Sequence, residues 1–313
     1  MKATTADQNQ GPLIPVRLRA GDRVRFVSPA STPDKESMMR CVDILQSWGL
    51  DVDVADHAFD RFGYLAGRDE HRIEDLNTAF ADPTVRALFA TRGGKGAYRI
   101  ADKLDFDIIG KNPKWLVGFS DISILHLALW KHCKLVGVHG ALYGIGDNIA
   151  AETIEGLRSA LMDTATITLR SDNTDPTAAL TTTGHASGVL LGGNLDMIST
   201  AAGWVLPSLK NVILLIEAVN MGLGQVDRQL TMLANAGHLH GLKGVAVGQF
   251  SGFKAQGGWT IIDLLRDHLE RLDIPILGGL ALGHGHCPRT ALLGTTAHLE
   301  TSTQTLTITP GGD

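Results

Sequence analysis

Ser120 stands where an apolar run, Trp115-Leu116-Val117-Gly118-Phe119, gives way to a helix-period segment carrying Ile122, Leu125, Leu127 and Leu129. A hydroxyl on such a strand-to-helix turn is lifted above the sheet and faces the N–H groups that open the helix. That arrangement suits attack on a carbonyl and stabilisation of the oxyanion that forms. The strict nucleophile-elbow pattern asks for glycine two residues after the serine, and Ile122 stands there instead. Ser120 or Asp121 could equally serve as a plain helix N-cap.

Three further stretches carry reactive side chains. After Phe89-Ala90-Thr91 comes Arg92-Gly93-Gly94-Lys95-Gly96, whose exposed backbone N–H groups could cradle an anion. The dinucleotide and Walker spacings are missing, so a tight turn explains the same glycines. The run Val212-Ile213-Leu214-Leu215-Ile216 reads as a buried strand ending in Glu217. A carboxylate there is either a site residue or one half of an ion pair, with Arg228 as its partner. His284 lies between Gly283 and Gly285 on a loop past another strand, where an imidazole is free to transfer protons; a histidine satisfied within the core is the alternative. His284/His286 and His238/His240 have His-x-His spacing, yet no HExxH motif occurs, and Cys41, Cys133 and Cys287 are scattered and odd in number. Neither a catalytic metal nor a disulfide framework is expected. His57, His71, His126, His132, His139, His185, His268 and His298 are expected to be solvated or satisfied in the core.

Strands must end close together for these residues to meet. Short β-branched or apolar runs at 23–27, 52–55, 85–90, 115–118 and 135–138 alternate with helix-period segments at 33–48, 69–80, 96–104 and 122–131. That rhythm predicts a doubly wound parallel sheet, with ligands at the carboxyl ends of its strands. A helix over 151–161 precedes a Thr/Ser/Asp-rich stretch without aromatics. Beyond it the pattern predicts a strand over 188–191, a turn at Gly192-Gly193-Asn194, and a helix to residue 204. Strands at 212–217, 244–249 and 274–277 then alternate with helices at 226–236 and 260–272. Runs at 290–299 and 303–309 have period two and suggest a closing hairpin. The fold class is α/β: a disordered tail (1–14), an N-terminal doubly wound domain (15–163), a linker (164–187) and a C-terminal mixed α/β domain (188–313), with the site between the domains.

Composition narrows the function. Apolar residues make up 44% of the 313, enough for a sizeable core. The formal net charge of −5, with no basic run, argues against a nucleic-acid or membrane-surface partner. The polar N-terminus lacks the apolar core of a signal peptide and no apolar run reaches spanning length, so a cytoplasmic location is expected. The 36 glycines exceed the usual share of about 7% and point to glycine-lined turns around a site.

In order along the chain, Arg92-Gly93-Gly94-Lys95-Gly96, Gly118-Phe119-Ser120-Asp121, Gly192-Gly193-Asn194-Leu195, Glu217, Asp227-Arg228, Gly248-Gln249-Phe250 and Gly283-His284 resemble the motifs of the LD-carboxypeptidase family of serine peptidases. That family includes muropeptide LD-carboxypeptidases and the microcin C immunity peptidase. The resemblance covers roughly residues 15–308. It implies a two-domain α/β fold, usually a homodimer, and a Ser-Glu-His triad that needs no metal or cofactor. Ser120 would be the nucleophile, His284 the general base and then acid, and Glu217 the group orienting the imidazole. The N–H groups of Gly94 and Asp121 would form the oxyanion hole. Gly93 and Lys95 would border the substrate, and Arg92 or Arg289 could grip a terminal carboxylate, although a structural ion pair is open to either arginine. Many members carry Tyr where Lys95 stands, and residues 218–225 lack the common aromatic. Immunity-type members stack a nucleobase on a loop Trp, and residues 164–186 hold no aromatic. The expected activity is hydrolysis of an L,D-amide in a small, peptidoglycan-derived peptide. Hydrolysis of aminoacyl or peptidyl nucleotide amides and a catalytically silent binding module are the alternatives.

Overall fold

The computed structural model describes residues 11–142 and 149–311. Most of the expected tail, residues 1–10, lies outside them, whereas Leu13 already bridges to Leu135. The first half contains β1 (Arg23–Val27), α1 (Lys35–Ser47), β2 (Asp51–Val54), α2 (Asp69–Ala81), β3 (Val85–Ala90), α3 (Phe106–Lys111), β4 (Trp115–Val117), α4 (Ser123–Cys133), β5 (Gly137–His139) and α5 (Ala151–Met162). The second contains β6 (Ile167–Arg170), β7 (His185–Asn194), α6 (Leu195–Ala201), β8 (Val212–Val219), α7 (Leu223–Asn235), β9 (Gly244–Ser251), α8 (Ile261–Leu269), β10 (Ile276–Leu277), β11 (Ala291–Leu293), β12 (Thr296–Glu300) and β13 (Thr305–Thr309). No helix among the described residues is long and apolar enough to cross a membrane.

Local chemistry explains where these elements start. Asp34 accepts the Ser37 N–H at 2.9 Å and opens α1, which then buries Met38, Cys41, Val42 and Leu45 on one stripe. Thr260 and Asp263 form a reciprocal capping box at the head of α8.

Strands β2, β1, β3, β4 and β5 are parallel, in that spatial order. The doubly wound sheet expected for the N-terminal half is thus present. Its winding reverses between β1 and β3, which opens a crevice above their carboxyl ends. The second sheet is mixed: β10, β9, β8 and β7 run parallel, and β12, β13 and β6 continue antiparallel. α4 packs on α6, and one apolar core runs through Leu125 and Leu129 of α4, Ile198 of α6 and Leu230 of α7.

Several local expectations are corrected. The helix expected over 96–104 is a single 3-10 turn at Ala97–Arg99, entered from Gly96 at φ 121°, where a Cβ would strike Leu65. Asp105 then caps α3 at the Ile108 N–H, 3.0 Å away. Gly192 and Gly193 form no turn. They end the ten-residue β7 at φ 126° and 128°, and a Cβ on Gly192 would run into the Leu215 carbonyl of β8. The single run expected over 290–299 breaks at Gly294, φ 92°. As a result β12 joins the second sheet, while β11 lies antiparallel on β5, at the edge of the first. Residues 164–187 contain β6, paired with β13, and a 3-10 turn at Pro176–Leu180, where Thr177 Oγ1 accepts the Gly279 N–H at 2.9 Å.

Candidate active site

β4 delivers Ser120 to the crevice. The Gly118 N–H donates to the Val138 carbonyl at 3.0 Å, and His126 Nε2 lies 2.9 Å from the Gly118 carbonyl, so the turn is pinned from the sheet and from α4. Ser120 has φ 62°. A side-chain-bearing residue in that left-handed region carries strain of about 1 kcal/mol or more, which persists only when its surroundings impose it. Neither Ser120 nor Asp121 caps α4: the position before the helix is Ile122, with no side-chain cap bond. The Asp121 carboxylate instead accepts the Ala97 N–H at 2.7 Å, and its burial pushes its pKa up to about 6.

β8 and the loop after β10 bring Glu217 and His284 together. Glu217 is fully buried at a register shift between Ile216 and Ala218, an irregularity of the kind that re-aims a side chain. Its Oε2 lies 2.7 Å from His284 Nδ1, while Oε1 accepts from Asn194 Nδ2 at 3.0 Å. Glu217 therefore pairs with a histidine and an amide, and the expected alternative of an Arg228 ion pair is set aside. With the carboxylate as acceptor, Nδ1 carries the proton and Nε2 keeps its lone pair, the state a general base requires. Gly283 makes this approach possible: at φ 109°, a Cβ there would lie 2.6 Å from Glu217 Oε2. The Ser251 hydroxyl donates to the His284 carbonyl at 3.0 Å. The ring of Phe119, the neighbour of Ser120, packs against the imidazole with centroids 4.8 Å apart.

The glycine-rich turn lies against Ser120. A Cβ on Gly93 would sit 2.9 Å from Ser120 Cβ and 3.1 Å from its Oγ. Ser31 Oγ accepts the Lys95 N–H at 3.1 Å and donates to the Tyr64 carbonyl at 2.9 Å, bracing the turn from β1. Asp121 follows Ser120 in the chain, and Gly94 follows Gly93 on the turn that faces it. A cleft of about 530 Å³ is lined by Phe119, Gln249, Phe250, Ser251, His284 and His286 among others.

Models of the LD-carboxypeptidase N-terminal and C-terminal domains match residues 24–140 and 187–299. A probable murein peptide carboxypeptidase of Bacillus subtilis is 30% identical, with 95% of this chain and 94% of the relative covered. The chain belongs to the LD-carboxypeptidase family. It is a hydrolase of the peptidase class. The fold is shared with a muramoyltetrapeptide carboxypeptidase from Oxalobacter formigenes (TM-score 0.81, 26% identity, covering 91% of this chain and 97% of that one). It is also shared with the microcin C7 self-immunity protein (TM-score 0.85, 24% identity, covering 95% and 98%).

In this LD-carboxypeptidase fold, Ser120, Gly93 and Gly94 cluster at one crevice, and Phe119 links them to the Glu217–His284 pair. Arg92 and Lys95 are exposed on the same glycine-rich turn. Arg289 is placed elsewhere. Its Nη1 lies 3.5 Å from the Glu152 carbonyl, and it lines a separate cavity with Arg170, Cys287 and Thr290. His139, expected to be solvated or satisfied, is neither. It is 1% exposed and both ring nitrogens lack a partner among the described residues. Burial holds its pKa down to about 3, so it stays neutral beside Phe119.

The residue that sequence reasoning left without a role is Asn194. It ends β7 directly opposite Glu217 in the parallel register, a placement only strand pairing reveals. Its backbone N–H donates to Ser123 Oγ at 3.0 Å, and its Oδ1 caps α6 at the Asp196 N–H, 3.1 Å away. Asn194→Ala therefore orphans one oxygen of a buried carboxylate, which costs about 1–3 kcal/mol, and removes a cap worth about 1 kcal/mol. Urea unfolding is expected to show a loss of about 2 kcal/mol or more. The loosened Glu217 should lower kcat roughly tenfold to a hundredfold. A variant matching wild type in both would refute this role.

Proposed function

We propose that this protein is a serine-type LD-carboxypeptidase that removes the C-terminal D-amino acid from a peptidoglycan-derived tetrapeptide. The observation that carries the reading is the buried Glu217 carboxylate holding His284 Nδ1 at 2.7 Å, with the ring of Phe119, which precedes the strained Ser120, packed on that imidazole. The names of relatives, murein peptide carboxypeptidase and muramoyltetrapeptide carboxypeptidase, support the substrate class.

Ser120 Oγ attacks the amide carbonyl as its proton passes to His284 Nε2, and Glu217 faces the resulting imidazolium. The carbonyl oxygen, now negative, takes the N–H groups of Gly94 and Asp121; one such donor contributes about 2.7–4 kcal/mol to the transition state. Collapse breaks the C–N bond, and the leaving amine of the D-amino acid receives the proton from His284. Water, deprotonated by the same imidazole, then cleaves the acyl-serine ester and frees the shortened peptide. In this reading Arg92 or Lys95, both exposed on the glycine-rich turn, meets the substrate's terminal carboxylate.

The test is product analysis on a muropeptide tetrapeptide and on its epimer with an L-residue at the C-terminus. Release of the terminal residue from the L,D substrate alone is expected. Equal cleavage of both epimers, or preference for an aminoacyl nucleotide amide, would overturn the specificity.

A further inference from the structure

Away from Ser120 and His284, the loop after β2 and the first turns of α2 bring His57, Asp60 and His71 together. Both imidazoles aim Nδ1 at one carboxylate oxygen: Asp60 Oδ2 lies 3.1 Å from His57 and 2.8 Å from His71. The two rings stack with centroids 4.0 Å apart and 21° between their planes. One potential ligand atom from each of the three residues lies within 4.8 Å of the others. Glu74, on the same face of α2 as His71, has its Oε2 4.0 Å from His57 Nε2.

The cluster is held in place. Thr32 Oγ1 donates to the Asp60 carbonyl at 2.6 Å, and Ser28 Oγ donates to the Ala58 carbonyl at 2.6 Å. Gly67, at φ 82°, lies where a Cβ would be 2.8 Å from Asp60 Cβ.

We propose that His57, Asp60 and His71 bind one divalent transition-metal ion of the Zn2+ type, with water in the fourth position. Two imidazole nitrogens and a carboxylate oxygen are a donor set that suits such an ion. Tetrahedral Zn2+ with ligands at about 2.0–2.2 Å spaces neighbouring ligand atoms about 3.3 Å apart. The two nitrogen–oxygen separations, 3.1 and 2.8 Å, would open by about 0.2 and about 0.5 Å as the ion enters. The ion ties the 55–60 loop to α2. It takes no part in the acyl-transfer steps.

The full chain, stripped of metal and freed of chelator, is titrated with Zn2+ against a chromophoric competitor. One tight equivalent is expected, as is a four-coordinate visible spectrum with Co2+. The double variant His57→Ala/His71→Ala should weaken binding by more than the roughly 10–100-fold that loss of an outer partner causes. His238→Ala/His240→Ala should bind like wild type. Absence of a tight equivalent in wild type, or wild-type affinity in the His57/His71 variant, would overturn the site. Should the double variant fail to fold, the surface substitution His71→Gln is carried through the same titration with the same two outcomes.

Discussion

Ser120→Ala is expected to lower kcat on the order of 10⁶-fold, the scale seen when a triad nucleophile is removed, with little change in KM. The expected size follows from the chemistry: without Oγ no acyl-enzyme can form, and only binding and the oxyanion donors remain to accelerate direct attack by water. The fold should be untouched. Alanine keeps the Cβ that makes φ 62° unfavourable, so the strain is the same in both proteins. Ser120→Gly is the informative companion. It should be as inactive, yet more stable by about 1 kcal/mol, because glycine occupies that region freely. A serine-directed phosphonate should add its mass to wild type and to neither variant. Turnover by Ser120→Ala within tenfold of wild type would place the nucleophile elsewhere.

Glu217→Gln is expected to cost about 10⁴-fold in kcat, comparable to replacing the triad acid by its amide in other enzymes. The buried carboxylate has two acceptor oxygens and two donors facing it, Asn194 Nδ2 and His284 Nδ1. A glutamine amide offers one acceptor and one donor. With its oxygen on Asn194, its NH2 meets His284 Nδ1 and stabilises the tautomer whose Nε2 bears the proton. That imidazole cannot accept a proton from Ser120. Volume is preserved and no charge is left behind in the strand, so thermal unfolding should move little. Wild-type kcat in a folded Glu217→Gln would remove Glu217 from the mechanism.

Much of this site is legible in the chain because each part has a local signature. The apolar run into Gly118-Phe119-Ser120, the carboxylate ending an apolar strand and the histidine between glycines all mark strand ends, where α/β sheets gather ligands. What escapes local reading is set by pairing across the sequence. Glu217 and His284 are 67 residues apart, and nothing in either neighbourhood chooses between an arginine partner and a histidine. Asn194 gains its meaning only from lying opposite Glu217. Gly192 and Gly193 carry the same composition signal whether the chain turns or two strands crowd together, so a turn was the natural expectation and crowding is what occurs. Ser120 looks like a cap because caps and nucleophile turns use the same residue types; the positive φ that separates them is a property of the folded backbone.

β11 has a consequence for how the molecule is made. Among the described residues, 137–139 of β5 find their outer neighbour in Ala291–Leu293, so during synthesis the first sheet waits with a bare edge while β6 to β10 of the second sheet are translated. An exposed edge is a template for pairing with other chains, and the nascent protein carries that hazard from His139 to Ala291. The same delay works as a checkpoint. The segment that seals the first sheet directly follows the loop bearing His284, so the serine's sheet reaches its final form only as the histidine arrives.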